Sequence, residues 1–160
     1  MTEPIYHRQS DQEIEDNARS ARLQYDPDTV RESMNRWNSY TDDQQQAIID
    51  EGNAIYDAFA EALRAEKPAT DPEVREIVER WHEHTRNFYE PSLDVMRGLA
   101  EMYRTDVNFS TKFAALHADL PEYLHTAIDD YVDDLETTEI QRMLDEDNDR
   151  ANDARSRLSS

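Results

Sequence analysis

The 160 residues contain no cysteine and only two glycines, and their longest apolar runs are short. Without cysteine, disulfides, thiolate metal ligands and cysteine nucleophiles are excluded. With two glycines, the tight hairpin turns of an antiparallel sheet have almost no residues to form them. No segment approaches the roughly 18 apolar residues of a membrane span, and residues 1–10 lack the apolar stretch of a signal peptide. We therefore expect a cytoplasmic protein that does not insert into membranes.

Positive charge is also scarce. Asp and Glu number 37 against 17 Lys and Arg, which gives a formal net charge of -20. A phosphate backbone would be repelled by such a chain. Direct binding of DNA or RNA is therefore not expected.

Apolar residues recur at steps of three and four along most of the chain, and this spacing predicts an all-α protein. We expect a single compact domain of about five to seven helices. Asp26-Pro27, Asp71-Pro72 and the capping box from Thr41 to Gln44 mark helix starts, and Pro91 should break a helix near Tyr89. The predicted helices cover about residues 26–37, 42–66, 71–89, 93–104, 109–116 and 119–136.

The ends of the chain differ from this middle part. Residues 1–25 are polar and are expected to be partly disordered or to dock as a helix. Residues 26–136 should form the folded domain. From residue 137 to residue 160 apolar side chains become sparse among many charges, which predicts an acidic, solvated tail that is helical at most.

Two Glu-x-x-His pairs, Glu79 with His82 and Glu122 with His125, have the spacing found in di-iron helical bundles. Such pairs also arise by chance in a chain this rich in glutamate, and no further carboxylates clearly lie on core faces. His84 falls on an apolar stripe, where a semi-buried histidine with one hydrogen-bonded nitrogen is expected rather than a haem ligand. We expect no metal and no cofactor, and a di-iron enzyme stays a minor alternative.

No phosphate-binding loop, nucleophile elbow or Ser/His/Asp series is present, so no enzyme activity is expected. The middle of the chain is instead rich in rings and thioethers. Most of these serve packing, but such a set also suits a cavity for a large, partly polar ligand. The concentrated residues are Trp81, Phe88, Tyr89, Met96, Met102, Tyr103, Phe109 and Phe113.

Several short motifs between residues 26 and 135 together resemble the TipAS antibiotic-recognition domain, the effector-binding half of MerR-type multidrug regulators. The motifs are Asn38-Ser-Tyr-Thr-Asp-Asp-Gln, Trp81-His-Glu-His with Phe88-Tyr89, Gly98-Leu-Ala-Glu-Met-Tyr103, Asp106-Val-Asn-Phe109 and Leu120-Pro-Glu-Tyr-Leu-His-Thr-Ala-Ile128. The resemblance implies a globin-like helical fold without haem and no catalysis. It also implies a cleft for thiopeptides or other bulky, amphipathic antibiotics and drugs, used in transcription regulation or in antibiotic resistance.

The resemblance further implies that the aromatic side chains of the central helices line or shape the cleft. The family's usual Asp-Pro-Arg-Phe corner is Asp106-Val-Asn-Phe109 here, so a basic side chain is missing. Without cysteine, capture of a thiopeptide would be reversible. The candidate ligand-binding residues are Trp81, Phe88, Tyr89, Met96, Tyr103, Phe109 and Phe113.

One alternative is a protein-protein interaction module that receives an amphipathic helix in the same groove, from a regulator or from a second copy of the chain. The oligomeric state is not fixed by the sequence, and a monomer is compatible with it.

Overall fold

The computed structural model describes residues 27–158, and within this range it contains six helices. The helices are α1 (Pro27–Ser39), α2 (Asp42–Arg64), α3 (Pro72–Thr85), α4 (Leu93–Thr105), α5 (Val107–Leu116) and α6 (Leu120–Leu158). The prediction of an all-α fold of five to seven helices is confirmed. Asp26, the predicted cap of the first helix, lies outside the described residues.

Helix starts follow the capping signals of the sequence. Thr41 accepts a hydrogen bond from the Gln44 backbone, and the Gln44 side chain accepts one from the Thr41 backbone, so the predicted capping box is confirmed. Asp71 caps α3 through the Glu73 backbone N–H, with Pro72 in the first turn. These bonds satisfy backbone donors that a helix start would otherwise leave unpaired.

The third helix ends earlier than predicted. The sequence places Phe88 and Tyr89 at its end, but α3 stops at Thr85. The N–H groups of Asn87 and Phe88 bond to carbonyls three residues earlier, which tightens the chain into a turn ahead of Pro91. Phe88 and Tyr89 therefore belong to a linker, residues 86–92, and are not part of the α3 stripe.

The core lies where α2, α3, α4 and α5 pack around the first half of α6. At its centre the Tyr103 hydroxyl accepts hydrogen bonds from the Tyr56 hydroxyl (3.1 Å) and the Trp81 indole N–H (3.2 Å). The Phe113 ring, fully buried, stands 4.8 Å from the Tyr56 ring and 5.2 Å from the Tyr103 ring, measured between centroids. One polar junction thus joins α2, α3 and α4 inside an otherwise apolar core.

Arginines tie the neighbouring helices to α6 at the surface. Arg97 on α4 pairs with Asp133 (2.8 Å) and Glu136 (2.7 Å), and Arg75 on α3 pairs with Asp130 and Asp134. These bridges place cations against a strongly acidic helix, where they offset repulsion among its carboxylates.

The first described helix is peripheral. Val30 is its one buried residue. No other described helix packs closely along α1. Near its C-terminal end, Arg36 and Trp37 contact the segment that follows α3. It is therefore the helix whose displacement disturbs the core least.

His84, at the end of α3, joins this helix to α2. Its Nε2 lies 2.8 Å from the Ile48 carbonyl oxygen, and the side chain is almost fully buried. Burial lowers the pKa of the His84 imidazole below its ordinary value of 6.5, an effect opposed by the hydrogen bond to Ile48. The expected hydrogen bond to a ring nitrogen is confirmed, but the side chain is buried where a semi-buried histidine was expected.

Truncation of the central ring should be costly. Phe113→Ala is expected to lower the free energy of unfolding by about 3–5 kcal/mol, because a buried Phe is lost and a void remains. Urea unfolding followed by circular dichroism measures this. Val107→Ala on the same helix, at a side chain 74% exposed, should change it by less than about 0.5 kcal/mol. Equal effects of the two substitutions would contradict the packing described.

Acidification should weaken the fold through His84. Since its folded-state pKa is lowered, the unfolded chain binds more protons once the pH falls below about 6.5, and stability declines from there toward the folded-state pKa. The decline in unfolding free energy between about pH 7.5 and about pH 5.5 should be smaller in His84→Gln than in the unaltered chain. His82, whose pKa burial also lowers, accounts for part of the remaining slope. His117→Gln serves as the control, and an identical reduction there would refute the assignment to His84.

Candidate functional site

A cavity of about 140 Å³ lies between the end of α3, the 86–92 linker, α4 and the start of α5. The tight turn that ends α3 redirects the chain, and as a result two rings of the linker form part of the cavity wall together with side chains of α4. The lining residues are His84, Thr85, Phe88, Tyr89, Leu99, Met102, Tyr103 and Phe109.

The structure brings four of the seven candidate residues to this cavity: Phe88, Tyr89, Tyr103 and Phe109. The other three, Trp81, Met96 and Phe113, are 2%, 1% and 0% exposed and belong to the core. They do not border the cavity. Trp81 and Phe113 contact it indirectly, through Tyr103.

Four further lining residues were not among the candidates. Leu99 and Met102 are three apart on α4, with Tyr103 one residue further, and this spacing places all three on one helix face. His84 and Thr85 follow Trp81 at steps of three and four on α3. Steps of three or four residues from the candidates would have identified His84, Thr85 and Leu99 from the sequence, but not Met102.

The cavity wall carries no formal charge. None of its residues is Lys, Arg, Asp or Glu, and the lowered pKa of His84 keeps this imidazole neutral near pH 7. The Thr85 hydroxyl donates to the Trp81 carbonyl oxygen at 2.9 Å. The site therefore suits rings and thioether contacts with a few directional polar groups.

Helix α1, called the cover below, contacts the linker, and none of its residues lines the cavity. The Trp37 ring stacks on the Phe88 ring, with centroids 5.7 Å apart and planes 25° from parallel. Arg36 donates to the Arg86 carbonyl oxygen (2.8 Å), and the Tyr40 hydroxyl donates to the Asn87 carbonyl oxygen (2.5 Å). The cover is thus attached to the same linker that supplies two rings of the cavity wall.

The two Glu-x-x-His pairs do not come together. The His82 Nδ1 lies 2.9 Å from the Tyr131 hydroxyl, whereas the His125 Nε2 lies 3.0 Å from a Glu101 carboxylate oxygen. Among residues 27–158, no group of three His, Cys, Asp or Glu side chains is placed to hold a metal ion. Within the same range, none of the helices is both long and apolar enough to cross a bilayer.

The chain resembles known proteins in sequence and in structure. HTH-type transcriptional activator mta of Bacillus subtilis (strain 168) is 29% identical over 117 residues, which are 72% of this chain and 45% of that protein. The chain thus matches less than half of that relative's length. The solved structure of TipAS from Streptomyces lividans, in complex with nosiheptide and described as part of a thiopeptide antibiotic multidrug resistance system, superposes with a TM-score of 0.68. This alignment has 25% sequence identity and covers 80% of this chain and 89% of that one.

The TipAS antibiotic-recognition domain, as a sequence family, matches residues 18–131. This range includes the helices and the linker that form the cavity. The chain belongs to the TipAS antibiotic-recognition domain family.

Proposed function

We propose that the chain binds a bulky, amphipathic small molecule reversibly and without catalysis, and that the uncharged aromatic cavity is the anchoring point. The ligand contacts are Phe88, Tyr89, Tyr103 and Phe109, while Trp81, Met96 and Phe113 support the wall from behind. The observation that carries the proposal is this ring-lined cavity in a member of a family named for antibiotic recognition. A thiopeptide of the kind bound in the TipAS complex is the ligand class we favour.

The size of the cavity constrains how such a ligand binds. Sites for drug-sized molecules measure about 300–1,000 Å³, and a dry cavity of roughly 150 Å³ accommodates one benzene ring. At about 140 Å³ the present cavity holds a single ring of the ligand. The rest of a bulky molecule must lie across the surface, or the cover must move.

Helix α1 is the part that moves most easily, because it has one buried residue and is attached through Trp37, Arg36 and Tyr40 to the linker. A ligand that displaces Phe88 also removes the surface on which Trp37 stacks. The expectation for residues 1–25, partial disorder or a docking helix, concerns residues outside the described range.

The biological role follows from the kind of relative. mta is a transcriptional activator, and TipAS belongs to a resistance system. We infer that ligand capture by this chain serves sensing in transcription regulation or sequestration in resistance, in the cytoplasm. The absence of cysteine makes capture noncovalent, and the net charge of -20 favours a cationic ligand over an anionic one.

Removal of one wall ring should weaken binding while the fold persists. Phe109 is half-buried and contacts the rings of Tyr103 and Phe113. For Phe109→Ala we expect about a tenfold loss of affinity for nosiheptide or the best compound in a panel of thiopeptides and hydrophobic drugs. Val107→Ala on the same helix should leave affinity unchanged. If no compound binds to the folded, unaltered chain in isothermal titration calorimetry, the proposal is wrong.

The two tryptophans should report different events. In Trp81→Phe the emission comes from Trp37 at the cover, and in Trp37→Phe it comes from Trp81 in the core. Ligand binding should shift the emission of Trp37 more strongly, because its stacking partner Phe88 lines the cavity. A ligand response confined to Trp81 would show that the cover does not take part.

A further inference from the structure

Helix α6 continues far beyond the domain that it helps to build. Its residues are buried in part as far as Leu135, and every residue from 136 to 158 is exposed. At about 1.5 Å per residue this extension is roughly 35 Å long. The family match ends at residue 131, so the extension lies outside the part of the chain that the family accounts for.

The extension carries a stripe of mostly apolar side chains, interrupted by Asp147, without a neighbour among the described helices. Of the five large apolar side chains that are exposed in the described range, four lie on the extension: Ile140, Met143 and Leu144 at 51–53% and Leu158 at 88%. Steps of four, three, four, three and four residues link Ile140, Leu144, Asp147, Ala151, Ala154 and Leu158.

These steps average the period of an α-helix, so the six side chains point within about 40° of one direction. Tyr131 and Leu124, which face the core, point about 180° away from Ile140 at about 100° per residue. The stripe therefore faces away from the domain, and the helices that form the core do not cover it.

The sequence of the extension is a poor helix former on its own. Six of the nine residues from 145 to 153 are Asp or Asn, which have low helix propensity. The ion pairs of Arg142 with Glu139 and Glu146 add only a few tenths of a kcal/mol each. Helices of such composition gain most of their stability from packing of an apolar face.

We propose that the stripe packs against the same stripe of a second copy of the chain, in antiparallel orientation. Reversing one helix places Ile140 opposite Leu158, Leu144 opposite Ala154 and Asp147 opposite Ala151. In this single register, each of the six stripe residues lies opposite a stripe residue of the other copy. The small alanines near the centre allow close approach of the two helices.

Charge selects this orientation. Residues 139–149 carry five acidic side chains and one arginine, whereas residues 150–158 carry three arginines and one aspartate. An antiparallel pair sets the acidic half of one extension beside the basic half of the other, and Arg150 of one copy beside Asp147 of the other. A parallel pair would set like charges together. The basic half of the extension is therefore a charge complement to the acidic half of a second copy.

The first experiment measures the mass of the full chain by sedimentation equilibrium without ligand, so that the result is independent of the proposed function. Twice the 18.8 kDa chain mass is expected at high concentration. The double variant Ile140→Glu/Leu144→Glu should sediment as a monomer, with circular dichroism and Trp81 fluorescence reporting an intact domain.

The matched control, Thr138→Glu/Gln141→Glu, adds the same charge at the same acidic end of the extension, at exposed positions away from the stripe, and should keep the dimer. A monomer at every concentration overturns the proposal, whether the stripe is then bare or covered by residues 1–26. Equal loss of the dimer in both double variants overturns the assignment to the stripe.

A second experiment tests orientation, using the absence of native cysteine. Leu144→Cys and Ala154→Cys chains are prepared separately, one with a mass tag, mixed and oxidised. Antiparallel packing predicts disulfides between the two variants and few within either alone. Cross-links formed by each variant alone indicate a parallel pair and overturn the proposed geometry.

Discussion

The Tyr103 hydroxyl accepts hydrogen bonds from Tyr56 and Trp81, and the positions of three helices depend on this junction. A buried polar group is costly when it loses its partners, so the junction defines one arrangement of α2, α3 and α4 more sharply than apolar packing alone would. The same Tyr103 ring borders the cavity. The rigid centre of the core is therefore also the floor of the site.

The rim of the cavity is built differently from its floor. Phe88 and Tyr89 lie on a short linker between two helices, and Phe109 is half-buried on the small helix α5. Linker residues are held by fewer neighbours than helical core residues and can change rotamer at lower cost. A fixed floor with an adjustable rim is a physical basis for accepting ligands that share one ring but differ elsewhere.

The sequence predicts the helices well because their signals are local. The capping box at Thr41 and the cap at Asp71 depend on residues three or fewer apart, and both form as expected. The site is predicted less completely, because helical period identifies inward-facing residues without distinguishing those around a void from those in contact. Met96, Phe113 and Tyr103 all occupy inward-facing positions in the helical period. Only tertiary packing determines that Met96 and Phe113 lie in the core while Tyr103 borders the cavity. Local sequence signals also do not predict the early end of α3. Ahead of Pro91 the chain can continue as helix or form a turn, and short-range signals do not decide between the two.

The bonds that attach α1 to the linker have one property in common: Arg36 and Tyr40 both donate to main-chain carbonyl oxygens, those of Arg86 and Asn87. A carbonyl oxygen is present whatever amino acid occupies the position. Substitutions at 86 and 87 therefore leave both acceptors in place, so the linker tolerates sequence change at these two positions while the helix stays attached beside the pocket.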